Sequence, residues 1–296
     1  MRKIRTIEEL TMKDNFMFGA VMCDEEICRE FLEMVLRFPI GQVTVCKEKS
    51  MVYHPEYKSI RLDVVAKDEN NTHYNVEMQV QKENCMPKRG RYYHSMLDAE
   101  LLERGCEYNA LPDTYVIFVC DFDPFGKRKY CYTFENCCLE DYSLKLQDGS
   151  VSIFLSTKGK NDAEVSEELV KFLKYVGATA ENSSLDFEDS YVTKLQESMR
   201  RIKADREIGG RYMFFQELLD DERKEGRAEG LAEGLAEGLA NGLANGLVLL
   251  LEGFGEVTEE LRAEIMSQGD AEVLKSWIKL AVQEKNVDAF ILKFKK

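Results

Sequence analysis

The period of apolar and polar positions changes four times along the chain. From Ile7 to Phe38 the apolar residues recur at helical spacing, and Pro39-Ile-Gly41 closes that stretch. The period then falls towards two, with Val43, Val45, Met51 and Val52 in a strand-like region. Ser59–Lys67 and His73–Gln81 alternate apolar and polar residues across Asp68-Glu-Asn-Asn71, which predicts a β-hairpin. Helical spacing returns over Pro87–Arg104, with Gly105 as its stop. Thr114–Asp121 is rich in β-branched and aromatic residues and predicts a buried strand, closed by Asp123-Pro-Phe-Gly126. Short strands follow at Lys129–Phe134 and Val151–Leu155, and helix dominates from Ala163 onward. The expected order is α-β-β-β-α-β and then a mostly helical half, an α/β protein.

The hairpin separates two faces. Leu62, Val64 and Ala66 on one strand, with Val76, Met78 and Val80 on the other, form an apolar face that must pack inward. The opposite face carries Asp63, Glu77 and Gln79. A turn centred on Asn70 makes cross-strand residue numbers sum to 140, so Asp63 faces Glu77 with Cβ atoms roughly 5 Å apart. Gln79 points the same way. A slip of one residue would put the apolar set on the wrong side.

Two carboxylates this close repel unless one is protonated or a cation lies between them. Mg²⁺ takes one or two carboxylates plus water and phosphate oxygens, and such a site can polarise a phosphodiester. The plainer alternative is an amphipathic hairpin whose polar face meets water. Immediately afterwards, Lys82, Lys88, Arg89 and Arg91 against Glu83 give residues 82–91 a net charge of +3, with Tyr92, Tyr93 and His94 interleaved. Basic groups beside an acidic pocket suit phosphate contact; a solvated helix face is the other reading. Lys127-Arg-Lys129 reads as a charged turn.

Composition narrows the class. The 296 residues are 44% hydrophobic, enough for a sizeable core and roughly two domains. The start, Met1-Arg-Lys-Ile-Arg-Thr, has no apolar signal-peptide core, and the richest apolar runs fall short of the ~20 residues of a membrane span. Nine cysteines without a C-x₂-C pair, and only His54, His73 and His94, argue for reduced cytoplasmic thiols and against structural zinc. Phosphate-loop, dinucleotide and serine-elbow motifs are missing from the sequence. The net charge of −14 argues against non-specific coating of DNA. Residues 1–100 carry only −2 of it and residues 151–296 carry −8, so the acidity does not exclude a local DNA contact.

One internal repeat stands out. Gly226, Gly230, Gly234, Gly238, Gly242 and Gly246 recur every fourth residue. Four residues of α-helix turn through about 400°, so each stripe drifts ~40° per unit and winds round the helix. Each glycine costs about 1 kcal/mol relative to alanine, which favours a helical spacer or oligomerising arm that gains from packing. Glu229, Glu233 and Glu237 argue against burying it in lipid. A small helical cap around Trp277 and Leu280 is expected over Val257–Phe290.

Together these residues resemble the PD-(D/E)XK nuclease superfamily, and more closely its bacterial recombination-promoting nuclease, or putative transposase, family. The resemblance rests on Lys13-Asp-Asn-Phe-Met-Phe18, the Asp63…Glu77-x-Gln79 hairpin and Lys88-Arg-Gly-Arg-Tyr-Tyr93. It also rests on Gly105-x₂-Tyr108-x₂-Leu111, Thr114–Val119, Asp121-Phe-Asp-Pro-Phe125 and the E-G-x-x-E-G arm, spanning about residues 1–247. It implies a restriction-endonuclease-like αβββαβ core and a divalent-metal-dependent DNA endonuclease linked to recombination or mobile DNA. In that reading Asp63 and Glu77 bind Mg²⁺ or another divalent ion. Gln79 holds the usual lysine position and orients water through its amide, while Lys88, Arg89 and Arg91 contact DNA phosphates. Asp14 is a candidate auxiliary ligand, against a helix-surface role. The alternative is a catalytically silent binding or regulatory module that oligomerises through the arm. The expected organisation is a core over 1–135, an extension over 136–222, the arm over 223–247 and a helical segment over 248–296, with no membrane association.

Overall fold

The computed structural model describes residues 5–51 and 60–294; Val52 and Ser59 of the expected strands, and the histidine His54, lie outside them. The expected N-terminal helix is divided into a 3-10 turn at Ile7–Glu9, α1 (Asn15–Met22) and α2 (Glu25–Leu36). Two aspartates make the breaks. The Asp14 carboxylate accepts the Thr11 N–H at 2.7 Å, turning the chain into α1. Asp24 caps α2 by accepting the N–H groups of Glu26 and Ile27. Ile27, Cys28, Phe31, Leu32 and Val35 then share the buried face of α2.

Strands β1 (Val43–Met51), β2 (Ile60–Asp68) and β3 (His73–Gln79) follow, then α3 (Met86–Leu101), β4 (Thr114–Cys120), β5 (Cys131–Phe134) and β6 (Ser150–Ser156). They build one six-stranded sheet in the order β1-β2-β3-β4-β6-β5. β1–β2, β2–β3 and β5–β6 are antiparallel, whereas β3–β4 and β4–β6 are parallel. The β2–β3 turn is fixed by Asp68, which accepts the N–H groups of Asn70 (2.9 Å) and Thr72 (2.8 Å) and the Tyr74 hydroxyl (2.8 Å). Asn71 takes the left-handed backbone that the turn needs, at φ 65°. α3 is shorter than expected: Leu102 already has extended backbone, and Gly105, at φ 93°, serves the next turn instead of capping the helix.

Helices α4 (Glu167–Val176) and α5 (Ser190–Ala204) complete the first compact unit, Met1–Phe214. One sheet face, including Val64, Ala66, Val76, Met78, Ile117, Val119, Ile153 and Leu155, packs in a core with residues of α1, α2, α4 and α5. The other face carries Val65, Val116, Phe118, Cys120 and Phe154 against Met86, Tyr93, Met96 and Leu97 of α3. Sheet and core thus run through the 135/136 division, because β6, α4 and α5 belong to the same unit. Of the hairpin's expected apolar face, Val64, Ala66, Val76 and Met78 pack inward and Val80 is exposed, while the Leu62 side chain lies outside the described residues. The hairpin's polar face is covered by α3.

The second unit is Phe215–Lys296, and its boundary falls inside the 47-residue helix α6 (Arg206–Glu252). It has its own core of Ala240, Ala244, Leu247, Val248 and Leu251 with residues of α7 (Glu259–Met266), α8 (Ala271–Glu284) and α9 (Val287–Phe294). Trp277 packs edge-on against Phe294, and Leu280 is partly buried there. By length and composition α6 is long and apolar enough to cross a membrane, although the sequence runs alone fell short. The second core accounts for part of that hydropathy, since five of its apolar positions are buried in it.

Candidate active site

The β2–β3 register pairs Val64 with Val76, Val65 with Asn75, Ala66 with Tyr74 and Lys67 with His73. Continued by one residue, it sets Asp63 against Glu77. There carboxylates take over from the ladder. The Asp63 N–H donates to Glu77 Oε1 at 3.1 Å, and the Met78 N–H donates to Asp63 Oδ2 at 3.2 Å. Each acid is therefore held by the other's strand. The alternation of the hairpin and its Asp68 turn are sufficient to bring these two groups together from 14 residues apart.

Burial makes the pair costly. Glu77 is 1% exposed, and Gln79, two residues on along the same face, is 8% exposed. Burial and the neighbouring Asp63 carboxylate push the Glu77 carboxyl up to about 8, against the lowering pull of the Asp63 N–H and Arg89. The cation comes from α3. Arg89 Nη1 donates to Gln79 Oε1 at 3.1 Å, and Nη2 reaches Glu77 Oε2 at 3.4 Å. Its Nε donates to the Tyr93 hydroxyl at 2.7 Å, and Glu83 lies 3.7 Å from Nη1. Asn75 adds to the polar strip: it is fully buried, with neither amide atom hydrogen-bonded among the described residues.

The structure thus gathers Asp63, Glu77, Gln79 and Arg89. Lys88 and Arg91 of α3 are exposed, and neither makes an ion pair among the described residues. Asp14 is engaged elsewhere, accepting from the Thr11 N–H and hydroxyl and pairing with Arg5. Tyr93 and Asp121 were not singled out from the sequence as site residues. The Arg89-x₃-Tyr93 spacing puts both on one helix face, which was the available signal. Asp121 lies in the quoted Asp121-Phe-Asp-Pro-Phe125 motif, and its N–H donates to the Gln79 carbonyl at 2.9 Å. Although burial opposes it, hydrogen bonds from Lys158 and Thr157 hold the Asp121 carboxyl below its ordinary value. Lys13 joins them at 3.3 Å, linking the first sequence motif to the end of β4.

A divalent cation fits this donor set. Among the described residues no group of three histidine, cysteine or acidic side chains gathers at one point. The pair supplies two carboxylates, as Mg²⁺ uses when water and phosphate complete its shell. The repulsion that pushes Glu77 upward is what a bound cation would relieve.

A mixed α/β sheet protein with two crossed carboxylates, an amide and a cation on one face has the parts of a phosphodiester-cleaving site. The chain belongs to the PD-(D/E)XK nuclease family transposases, whose family model matches residues 15–225. No curated protein and no solved structure matches it. The family membership gives the chain a nuclease- or transposase-related function.

Proposed function

We propose that this chain is a divalent-metal-dependent DNA endonuclease of the restriction-endonuclease-like αβββαβ type, acting in recombination or on mobile DNA. The observation that carries the reading is the crossed pair Asp63–Glu77 within a nuclease family. Asp63 and Glu77 hold the ion, for which Mg²⁺ is the natural choice. When bound, such an ion polarises the scissile phosphate and lowers the pKa of a water. Gln79 has an uncharged amide, which can orient that water but cannot take its proton, so the proton leaves to solvent. Lys88 and Arg91, exposed and unpaired among the described residues, hold phosphates. Arg89 lies on Glu77 in the metal-free chain and would turn to phosphate when a metal takes its place.

The exposed part of α6 supports self-association. A Cβ at any repeat glycine from Gly226 to Gly246 would meet nothing within 4 Å, and Leu231, Leu235 and Leu239 are exposed alongside. A second reading, a catalytically silent binding module, is favoured by Arg89 lying on both Glu77 and Gln79. Incubating supercoiled plasmid with purified protein in Mg²⁺ or EDTA separates the two. Nicking in Mg²⁺ that disappears in Asp63→Asn and Glu77→Gln supports the nuclease. Equal nicking by all three proteins removes the assignment, and DNA binding without nicking establishes the silent module.

A further inference from the structure

The basic turn Lys127-Arg-Lys129 has no part in the site above, yet the topology brings it to the same end of the sheet. Because β3, β4 and β6 are parallel, Gln79, Cys120 and Ser156 end side by side. The chain leaves β4 at that end and enters β5 there too, since Cys131 pairs with Leu155, next to the end of β6. The turn therefore crosses the ends of β4, β6 and β5 at the same end of the sheet as the end of β3, from which α3 sets out.

The turn is built, not loose. The Asp123 carboxylate accepts the N–H groups of Phe125 (3.1 Å), Gly126 (2.9 Å) and Arg128 (2.7 Å) and the Tyr132 hydroxyl (2.7 Å). The Tyr132 oxygen in turn accepts the N–H groups of Lys127 (3.2 Å) and Lys129 (3.1 Å). Gly126 and Arg128 both have left-handed backbone, at φ 71° and 54°. That conformation is unusual for an arginine and is held here by the Asp123 bond. The Lys160 N–H donates to the Arg128 carbonyl at 2.8 Å, joining the chain after β6 to the turn. With the backbone tied down, the side chains of Lys127, Arg128 and Lys160 are exposed and make no ion pair among the described residues. Lys129 is paired with Glu164, and Lys13 and Lys158 with Asp121.

We infer that this turn, with Lys160, is a second phosphate-binding element that holds the DNA duplex cleaved at the acid pair. The inference rests on the nuclease reading and adds the path of the substrate. Strands lie about 4.8 Å apart, so from β3 to β6, which Lys160 follows, is roughly 10 Å, and to β5, which the turn enters, roughly 14 Å. That corresponds to about three to four base steps at 3.4 Å each. Lys88 and Arg91 at one side of this end, and Lys127, Arg128 and Lys160 further along, grip one duplex at separate phosphates. In a chain of net charge −14, a preorganised group of exposed cations, unpaired among the described residues, at the end of the sheet where β3 finishes is where a polyanion would be held.

The test is the salt dependence of binding to a fluorescent duplex, measured by anisotropy. The full-length chain carries Asp63→Asn throughout so that the probe is not cut. Lys127→Gln/Arg128→Asn should flatten the slope of log K against log salt by about 1.8, at ~0.9 per phosphate. Affinity near 0.1 M salt should then fall by roughly one to two orders of magnitude. Lys127→Gln/Lys160→Gln leaves the Arg128 backbone alone and carries the same expectation, so misfolding of the first pair cannot mask the result. A parent slope retained in both variants, while Lys88→Gln/Arg91→Gln flattens it, would overturn the second element and leave the nuclease reading standing. No salt-dependent duplex binding by the parent would overturn both.

Discussion

Replacing Arg89 by glutamine removes the cation that sits on Glu77 and Gln79, and its cost should depend on pH. The side chain is 27% exposed, while that of Glu77 is 1% exposed, so the group left behind is the buried one. At pH 6 the Glu77 carboxyl, pushed up to about 8 by burial and by Asp63, is mainly protonated. The loss is then confined to charged donor bonds to Gln79 and Tyr93 and to the guanidinium stacked 5.2 Å from the Tyr93 ring centre. Allowing for water reaching the vacated space, that is about 2 kcal/mol. At pH 9 the wild-type Glu77 is mainly ionised, and without Arg89 its carboxyl must take a proton back, which adds up to ~1.4 kcal/mol and raises the cost to about 3 kcal/mol. Urea unfolding in EDTA, followed by tyrosine near-ultraviolet circular dichroism, measures both values for the first unit. The only tryptophan, Trp277, lies in the second unit, so its fluorescence transition should stay put as an internal control. A cost equal at both pH values, or smaller at pH 9, would refute the ion-pair account of Arg89.

Three further outcomes follow from the same geometry. The folded chain binds the Glu77 proton more tightly than the unfolded chain. Metal-free stability should therefore fall as pH rises from the ordinary carboxylate range to about 8, by up to ~1.4 kcal/mol per pH unit. Melting temperatures of wild type and Glu77→Gln across that range test this, and parallel curves would contradict it. Mg²⁺ at a hundred times its Kd should stabilise the wild-type first unit by about 2.7 kcal/mol and leave Asp63→Asn and Glu77→Gln unmoved. Leu231→Gln/Leu235→Gln/Leu239→Gln should lower the mass seen by light scattering without shifting either melting transition. These substitutions test the arm better than deleting Gly230–Asn245, which would take Ala240 and Ala244 out of the second core.

The Asp63–Glu77 pairing was legible because it is local: alternation sets the faces, and the Asp68 turn sets the register. What covers the polar face was not legible, because a period of two says nothing about the far partner. The basic cluster on α3 illustrates the limit. Lys88, Arg89 and Arg91 look alike as a charge run, but only Arg89 shares the buried helix face with Met86, Tyr93 and Leu97. Helical phase carries that distinction, whereas the strand that the helix meets does not follow from it. The basic turn at 127–129 gained meaning from the parallel β3–β4–β6 arrangement, which joins residues from distant parts of the chain. The single N-terminal helix failed because Asp14 and Asp24 compete for backbone N–H groups inside an otherwise helical pattern.

The central claim is that Asp63 and Glu77 form one divalent-cation site in the place Arg89 now occupies. Anomalous diffraction from crystals soaked in Mn²⁺ tests it directly. The account predicts a peak bridging the Asp63 and Glu77 carboxylates, with the Arg89 guanidinium withdrawn from Glu77. Crystals saturated with Mn²⁺ that show no peak between the two carboxylates, with Arg89 still on Glu77, would contradict it.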